Sequence, residues 1–133
     1  MINVRFVTPD GLYKEVEASA INLNTTDGQR GILPNHMPIV LMINISRLET
    51  IENGQRKQYA TSGGMLYFND NKATILVSSI ESKEEIDISR AQNAKQRAED
   101  RISGKLKENN LDIKRANVAL ARAINRIRVS EYN

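Results

Sequence analysis

The sequence contains no cysteine and only one histidine, His36, among its 133 residues. The lack of cysteine excludes disulfides, thiolate nucleophiles and thiolate metal sites. One histidine leaves no His pair for a metal site and argues against a histidine-dependent catalytic triad. His36 lies in a loop between Pro34 and Pro38, and we interpret it as a structural or interface residue rather than a catalytic base. These absences count against an enzyme.

The chain also lacks a long apolar run. No stretch approaches the ~20 apolar residues that a helix needs to cross a bilayer. The segment Ile2–Val7 is short and interrupted by Arg5, so it does not have the pattern of a signal peptide. We therefore expect a soluble protein in a reducing cytosol.

The positive charge is concentrated near the C-terminus. Residues 1–86 carry eight Lys/Arg and ten Asp/Glu, whereas residues 87–133 carry eleven and six, a net charge of +5. An anionic partner is therefore expected at the second segment, although a solvated helix surface also explains the charge. A small basic nucleic-acid-binding protein is the alternative function. Against it, Tyr132 is the segment's single aromatic residue, so a platform for stacking bases is lacking.

Up to about residue 80 the pattern is that of short strands. Ile2–Val7 alternates apolar and polar residues, and Asn53-Gly54 is a strong signal for a β-hairpin. Ile39–Ile43 is a continuous apolar run, typical of a strand buried on both faces. Thr25–Gly31 is rich in turn residues and predicts a loop. Many short strands separated by turn signals favour a sandwich or barrel.

From Asp87 the apolar period changes to three or four residues, which places apolar side chains along one side of a helix. Two stripes follow this period, first Ile88, Ala91, Ala94, Ala98, Ile102 and Leu106, then Ile113, Ala116, Leu120, Ala123, Ile124 and Ile127. Asp87 is the predicted N-cap of the first helix. Gly104 and Glu108–Asn110 predict a turn between the two helices.

Both stripes are rich in alanine. Burying apolar surface stabilises a fold by roughly 25 cal/mol per Å², so a seam of alanines contributes far less than a seam of leucines. Small side chains do let two helices approach closely. We therefore expect a hairpin that is marginal by itself and detaches easily from the β-domain, as a movable element would.

Five motifs follow one another along nearly the whole chain. They are Val7–Gly11, the G-x-x-G-x-L-P-x-H-x-P pattern within Asp27–Pro38, Ser62–Gly64, the I/L-D-x-x-R-A pattern at Ile86–Ala91, and Arg122–Val129. In this order they resemble the landmarks of the epsilon subunits of bacterial F-type ATP synthases. Each motif alone is weak, but five in order are specific.

The resemblance implies an α+β fold, with a flattened β-sandwich of about ten strands at residues 1–84 and an antiparallel two-helix hairpin at residues 85–133. It implies a non-catalytic rotor subunit on the cytoplasmic face of the bacterial membrane, with membrane contact only through the complex. The sandwich would bind the gamma subunit and the c-ring of the central stalk. The hairpin would regulate, inhibiting ATP hydrolysis when it extends toward the alpha/beta catalytic head.

The resemblance further implies that the folded hairpin binds ATP as a regulatory effector. Carried over position by position, the residues around the base and sugar are Glu81, Ile86, Asp87, Arg90 and Ala91. Those at the phosphates are Arg97, Arg122 and Arg126. Those at partner contacts are Gln29, Arg30 and His36. No catalytic cofactor, metal or nucleic acid is implied.

Helical geometry partly supports this nucleotide site. At 100° per residue Arg90 and Arg97 lie on one side of the first helix, and Arg122 and Arg126 are an i,i+4 pair on the second. Four guanidinium groups at one end of an antiparallel hairpin would suit a triphosphate. The alternative is that these arginines form a solvated face and that Asp87 is an N-cap only. The sequence has no P-loop, so a hydrolytic nucleotide site is unsupported.

Overall fold

The computed structural model describes residues 1–104 and 110–132. The predicted stripe residue Leu106 and the predicted turn residues Glu108 and Asn109 lie outside the described residues. The strands are β1 (Ile2–Thr8), β2 (Gly11–Ala18), β3 (Ala20–Thr25), β4 (Gly28–Ile32), β5 (Ile39–Ile43), β6 (Ser46–Glu52), β7 (Gln55–Thr61), β8 (Gly64–Asn69), β9 (Lys72–Val77) and β10 (Ile80–Ser82). A short 3-10 turn, Lys83–Glu85, leads to the helices α1 (Ile88–Ile102) and α2 (Asn110–Glu131).

The strands form one hydrogen-bonded sheet that folds over into a flattened sandwich. Its order is β10-β7-β6-β3-β5-β8-β9-β1-β2, with β4 paired to β3. Neighbours run antiparallel except β1 and β9, which are parallel. Fully buried aromatic rings from both halves meet inside, with Phe6 and Tyr59 4.9 Å apart between centroids. The predicted α+β class with an N-terminal sandwich and a C-terminal helical hairpin is confirmed.

The alternation at the N-terminus gives β1 one buried face, since Ile2, Val4 and Phe6 are all fully buried. The Asn-Gly signal forms the β6–β7 turn, where Asn53 and Gly54 both adopt positive φ angles, 52° and 76°. Two successive positive φ angles are the requirement of the type I′ turn, whose twist matches that of the two strands it joins. Both predictions are confirmed.

Two predictions about the sandwich are wrong. β5 is buried on one face only, because Leu41 and Ile43 point into the core while Val40 and Met42 are 54% and 53% exposed. Residues 28–31, predicted within a loop, belong to β4, which pairs along the edge of β3. β4 is exposed along most of its length, so its backbone pairing needs no apolar alternation and leaves no period in the sequence.

The helices pack on each other through alanine. Ala91, Ala98, Ala116 and Ala123 are at most 2% exposed, which confirms the alanine seam. Ile88, predicted on the same stripe, is instead 49% exposed because it occupies the open first turn of α1. Asp87 is the N-cap as predicted, its Oδ1 accepting a hydrogen bond from the Arg90 backbone N–H at 3.0 Å.

The hairpin lies against β6 and β7 through α2. Val129 is fully buried in a small cluster with Ala60 and Ile86. The Asn125 side-chain amide donates to the Ser46 carbonyl at 2.9 Å, and more weakly to that of Thr61. Neither described helix is long and apolar enough to cross a membrane.

Candidate nucleotide site and partner-binding face

A pocket of about 180 Å³ lies where the start of α1 meets the end of α2 and the linker from β10. Its lining residues are Glu81, Glu85, Asp87, Arg90, Ala91 and Arg126. Five of the eight predicted nucleotide-site residues therefore come together. They do so because an antiparallel hairpin places the first turn of α1 beside the last turns of α2. The volume is below the roughly 300–1,000 Å³ of pockets that enclose a drug-sized ligand.

The other three predicted residues are placed differently. Ile86 does not line the pocket but is 9% exposed and packs in the cluster with Val129. Arg122 lines a smaller neighbouring cleft that it shares with Glu81 and Arg126. Arg97 is exposed on α1 and lines neither space. The geometry thus gathers three of the four predicted arginines.

The pocket holds three carboxylates and two guanidinium groups. Arg126 Nε pairs with Glu81 Oε1 at 2.6 Å, and each side chain is 32% exposed. Asp87 is engaged as the N-cap, while Arg90 is exposed. A polyanion entering the pocket must therefore compete with Glu81 for Arg126.

Arg122 and Arg126 do not form a solvated face. Both are half-buried, because α2 presents this side to the β-sandwich while Asn125 bonds to the strand ends. Arg122 Nε is buried without a hydrogen-bond partner in the described part of the chain. A buried, unpartnered guanidinium N–H is unusual in a folded protein, and it is suited to donating a hydrogen bond to an anion.

Tyr13 and Glu85, which the sequence patterns did not single out, hold the linker to the sandwich. The Tyr13 hydroxyl donates to the Glu85 carboxylate and accepts from the Ser82 N–H at 3.2 Å. Burial, and then the bond to Glu85, raise the pKa of Tyr13 from 10.0 to about 12. The same bond is the main cause that lowers the pKa of Glu85 below its ordinary 4.5.

Substituting Tyr13→Phe should flatten the pH dependence of stability at both ends. The raised pKa of Tyr13 gives stability that is present below pH 10 and lost toward about pH 12. The lowered pKa of Glu85 gives stability that is present above 4.5 and lost as the pH falls further. Urea unfolding at pH 3–6 and pH 9–11.5 measures both slopes. Tyr67→Phe, on an exposed tyrosine, is the control, and unchanged slopes in Tyr13→Phe would contradict the assignment.

The predicted partner-contact residues fall into two places. Gln29 and Arg30 line an open polar pocket of about 300 Å³ on β3, β4 and β6. His36 does not line it. Its ring packs edge-on against Phe68, 5.9 Å between centroids, and its Nδ1 lies 2.7 Å from the Met37 carbonyl oxygen. These contacts favour the structural interpretation of His36.

A row of apolar side chains crosses the outer face of the sandwich. Directly opposed positions link five strands from β5 to β2, namely Met42, Met65, Leu76, Val7 and Leu12. Val40 and Tyr67, paired two positions away on β5 and β8, complete the apolar row. The most exposed members are Val40 at 54%, Met42 and Leu12 at 53% and Tyr67 at 47%. The sequence patterns missed this row, although the unbroken apolar run of β5 was its signal.

Known protein families match both the β-sandwich and the helical hairpin. Residues 1–83 match the family "ATP synthase, Delta/Epsilon chain, beta-sandwich domain", and residues 84–131 match "ATP synthase, Delta/Epsilon chain, long alpha-helix domain". The chain belongs to the ATP synthase delta/epsilon chain family. This membership favours the subunit hypothesis over the nucleic-acid-binding alternative.

Curated members of the delta/epsilon family are similar over nearly the full length. The ATP synthase epsilon chain of Ligilactobacillus salivarius is 40% identical over 134 residues, covering 99% of this chain and 96% of that one. Those of Pediococcus pentosaceus and Levilactobacillus brevis are 37% and 36% identical with the same coverage. The predicted family is confirmed, and the chain is a non-catalytic subunit of ATP synthase, as expected.

Two solved structures share the fold of this delta/epsilon family member. A chain in the cryo-EM structure of the Euglena gracilis mitochondrial ATP synthase, OSCP/F1/c-ring, has a TM-score of 0.76 at 24% identity, covering 93% of this chain and 78% of that chain. A chain of the Tetrahymena thermophila mitochondrial ATP synthase central stalk/c-ring has a TM-score of 0.64 at 14% identity, covering 97% and 96%. At these identities the likeness supports the sandwich-and-hairpin fold.

Proposed function

We propose that the chain is a rotor subunit of a bacterial F-type ATP synthase, on the cytoplasmic face of the membrane. Its β-sandwich binds the gamma subunit and the c-ring and helps to couple ion-driven rotation to ATP synthesis. The observation that carries this proposal is the exposed apolar row. One structural neighbour is itself a central stalk/c-ring chain, which is consistent with the same position. Nucleic acid and catalytic cofactors have no role, and membrane contact arises only through the complex.

The apolar row has the chemistry of a protein interface. Aromatic residues and methionine are enriched in the buried centres of such interfaces, and here Met42, Met65 and Tyr67 lie on neighbouring strands. The gamma subunit is the proposed occupant. A partner on this face would bury the second side of β5, which is the burial that its unbroken apolar sequence predicts. The polar pocket at Gln29 and Arg30 is then left for the c-ring.

The same proposal gives the hairpin a regulatory role, in which it leaves the sandwich and extends toward the alpha/beta catalytic head to inhibit ATP hydrolysis. The alanine seam supports this role, because Ala91, Ala98, Ala116 and Ala123 each bury little surface. The apolar contact with the sandwich is also small, with Ala60, Ile86 and Val129 at its centre. Two arrangements that differ by a few kcal/mol make a workable switch.

ATP is the proposed effector that favours the docked hairpin. Arg90 and Arg126 line one pocket, and the unpartnered Nε of Arg122 lies in the next. Triphosphate oxygens would replace Glu81 as the partner of Arg126. Both helices contribute to the first pocket, and the second lies between α2 and the sandwich, so the nucleotide would bind the docked arrangement better and shift the population toward it. Arg97, exposed on α1, would reach the phosphates only after a local change.

Calorimetric titration of ATP into the full chain tests the effector site. We expect saturable binding that Arg90→Ala and Arg126→Ala each weaken by roughly tenfold or more, since hydrogen bonds to charged groups contribute about 1.5–3 kcal/mol. Arg128→Ala, an exposed arginine of the same helix that is outside the pocket, is the charge-matched control. Absence of heat at millimolar ATP would remove the effector role and leave the rotor role intact.

The rotor role is tested separately by mixing the chain with the gamma subunit from the same organism. We expect the two to co-elute on gel filtration as a stoichiometric complex. Two separate peaks at micromolar concentrations would contradict the proposal.

A further inference from the structure

The segment just beyond α2 contacts the sandwich through an aromatic ring. The guanidinium carbon of Arg47 lies 3.8 Å from the ring centroid of Tyr132, well inside the ~6 Å range of cation–π attraction. The Lys83 ammonium group donates to the Tyr132 carbonyl oxygen. Tyr132 is therefore held both through its ring and through its backbone.

Arg47 is held in place from the sandwich side. Its Nη1 donates to Gln58 Oε1 at 2.5 Å and lies 4.0 Å from Glu49 Oε2. Glu49 is only 6% exposed, and it accepts hydrogen bonds from the amides of Asn22 and Gln58. This network already fixes the orientation of the Arg47 guanidinium. Docking of α2 therefore costs the Arg47 side chain little further conformational freedom.

The Tyr132 contact is separate from the proposed nucleotide site. Asn125, Arg128, Val129 and Tyr132 line a pocket of about 260 Å³ on the Ser46–Arg47 side of α2. Arg122 and Arg126 line the clefts on its other side. Asn125 lies between the two sides and lines both this pocket and the cleft of Arg122, whereas the Tyr132 ring and Arg47 do not line the nucleotide clefts.

We propose that Tyr132 and Arg47 form a latch that holds α2 on the sandwich and sets how readily the hairpin opens without nucleotide. This inference rests on the proposed function, since it assumes a hairpin that moves. Breaking the latch frees the last turn of α2, where Val129 provides its buried apolar contact. A partner could release the hairpin in two ways. It could place another cation against the Tyr132 ring, or it could pair one of its own carboxylates with Arg47.

The absence of native cysteine allows spin labels to be placed at Gln55→Cys on β7 and Ala121→Cys on α2, both exposed positions. Pulsed electron resonance on the full chain then reports closed and open populations. We expect Tyr132→Ala and Arg47→Gln to raise the open-to-closed ratio by roughly tenfold. The double variant should open no further than either single one, because both remove the same contact.

Two variants serve as matched controls. Tyr132→Phe keeps the ring and should stay as closed as the parent. Arg56→Gln also removes a guanidinium beside Glu49, 3.8 Å from its Oε1, but Arg56 does not contact the ring, so it should not open the hairpin.

The latch is overturned if Tyr132→Ala and Arg47→Gln match the parent, or if Arg56→Gln opens the hairpin equally. A parent that opens on ATP removal, with a Tyr132→Ala variant that opens no further, contradicts the latch alone. A single closed distance in the parent and in every variant, with or without ATP, contradicts both the latch and the mobile hairpin.

Discussion

Substituting Gly64→Ala is expected to lower the free energy of unfolding by about 3 kcal/mol or more, the upper range for overpacked positions. A Cβ at Gly64 would lie 2.0 Å from the Leu76 carbonyl oxygen and 2.9 Å from Val77 Cα. Both are backbone atoms, so no side-chain rotation relieves the clash. β8 is also fixed between β5 and β9 by pairing on both sides. The strands must separate, which weakens the pairing of β8 with β9 inside the sandwich.

The neighbouring Gly63 gives a matched control for this stability prediction. A Cβ there would have only the Ile43 carbonyl oxygen nearby, at 3.6 Å, which is ordinary contact. The free energy of unfolding of Gly63→Ala should therefore lie within about 0.5 kcal/mol of the parent value, as is usual for surface substitutions. Urea unfolding followed by circular dichroism measures both. If Gly64→Ala proved as stable as Gly63→Ala, the close approach of β8 and β9 would be wrong.

The second large effect is expected at the apolar row. Met42→Glu should weaken binding to the gamma subunit by roughly a hundredfold or more, the scale of an interface hot spot. A carboxylate at this position would be buried without a partner in the complex, which is strongly unfavourable. Met42 is 53% exposed in the isolated chain, so the substitution should not impair folding. Calorimetry or surface-based kinetics with purified gamma subunit measures the loss.

Val118→Glu is the corresponding control for the interface. Val118 is 43% exposed but lies on α2, away from the row, so its variant should bind gamma as the parent does. Met42→Leu keeps an apolar side chain and should lose little affinity. Equal binding by Met42→Glu and the parent would remove the apolar row from the interface. Equal weakening by Val118→Glu would show that the effect is one of charge rather than position.

The sequence predicts those parts of the fold that depend on interactions between residues close together in the chain. The alternation of β1, the Asn53-Gly54 turn and the Asp87 cap each depend on a few adjacent residues. β4 could not be predicted in this way, because an exposed edge strand is stabilised by backbone pairing and needs no apolar period. The interpretation of Ile39–Ile43 failed for a different reason. Its sequence suits two covered faces, and the chain alone covers only one.

Sequence reasoning brought together five of the eight candidate nucleotide-site residues in one pocket, but it could not predict the contacts among them. The family motif and the antiparallel hairpin together bring Arg90, Asp87 and Arg126 to one pocket. The pairing of Arg126 with Glu81 depends on how α2 lies against β10, a tertiary relation that spacing within one helix does not define. The same is true of Tyr13, which reaches the linker from a strand distant in the sequence.

The parallel pairing of β1 with β9 also bears on how the chain is made. During synthesis β1 can pair with β2 as soon as both strands have emerged from the ribosome, whereas its other edge must wait for β9 (Lys72–Val77). Until β9 pairs, the core residues Ile2, Val4 and Phe6 are only partly buried. Pairings between strands this distant in the sequence form slowly. The helices emerge after this strand is complete. Synthesis thus produces the strands of the sandwich before the helical hairpin that packs on it.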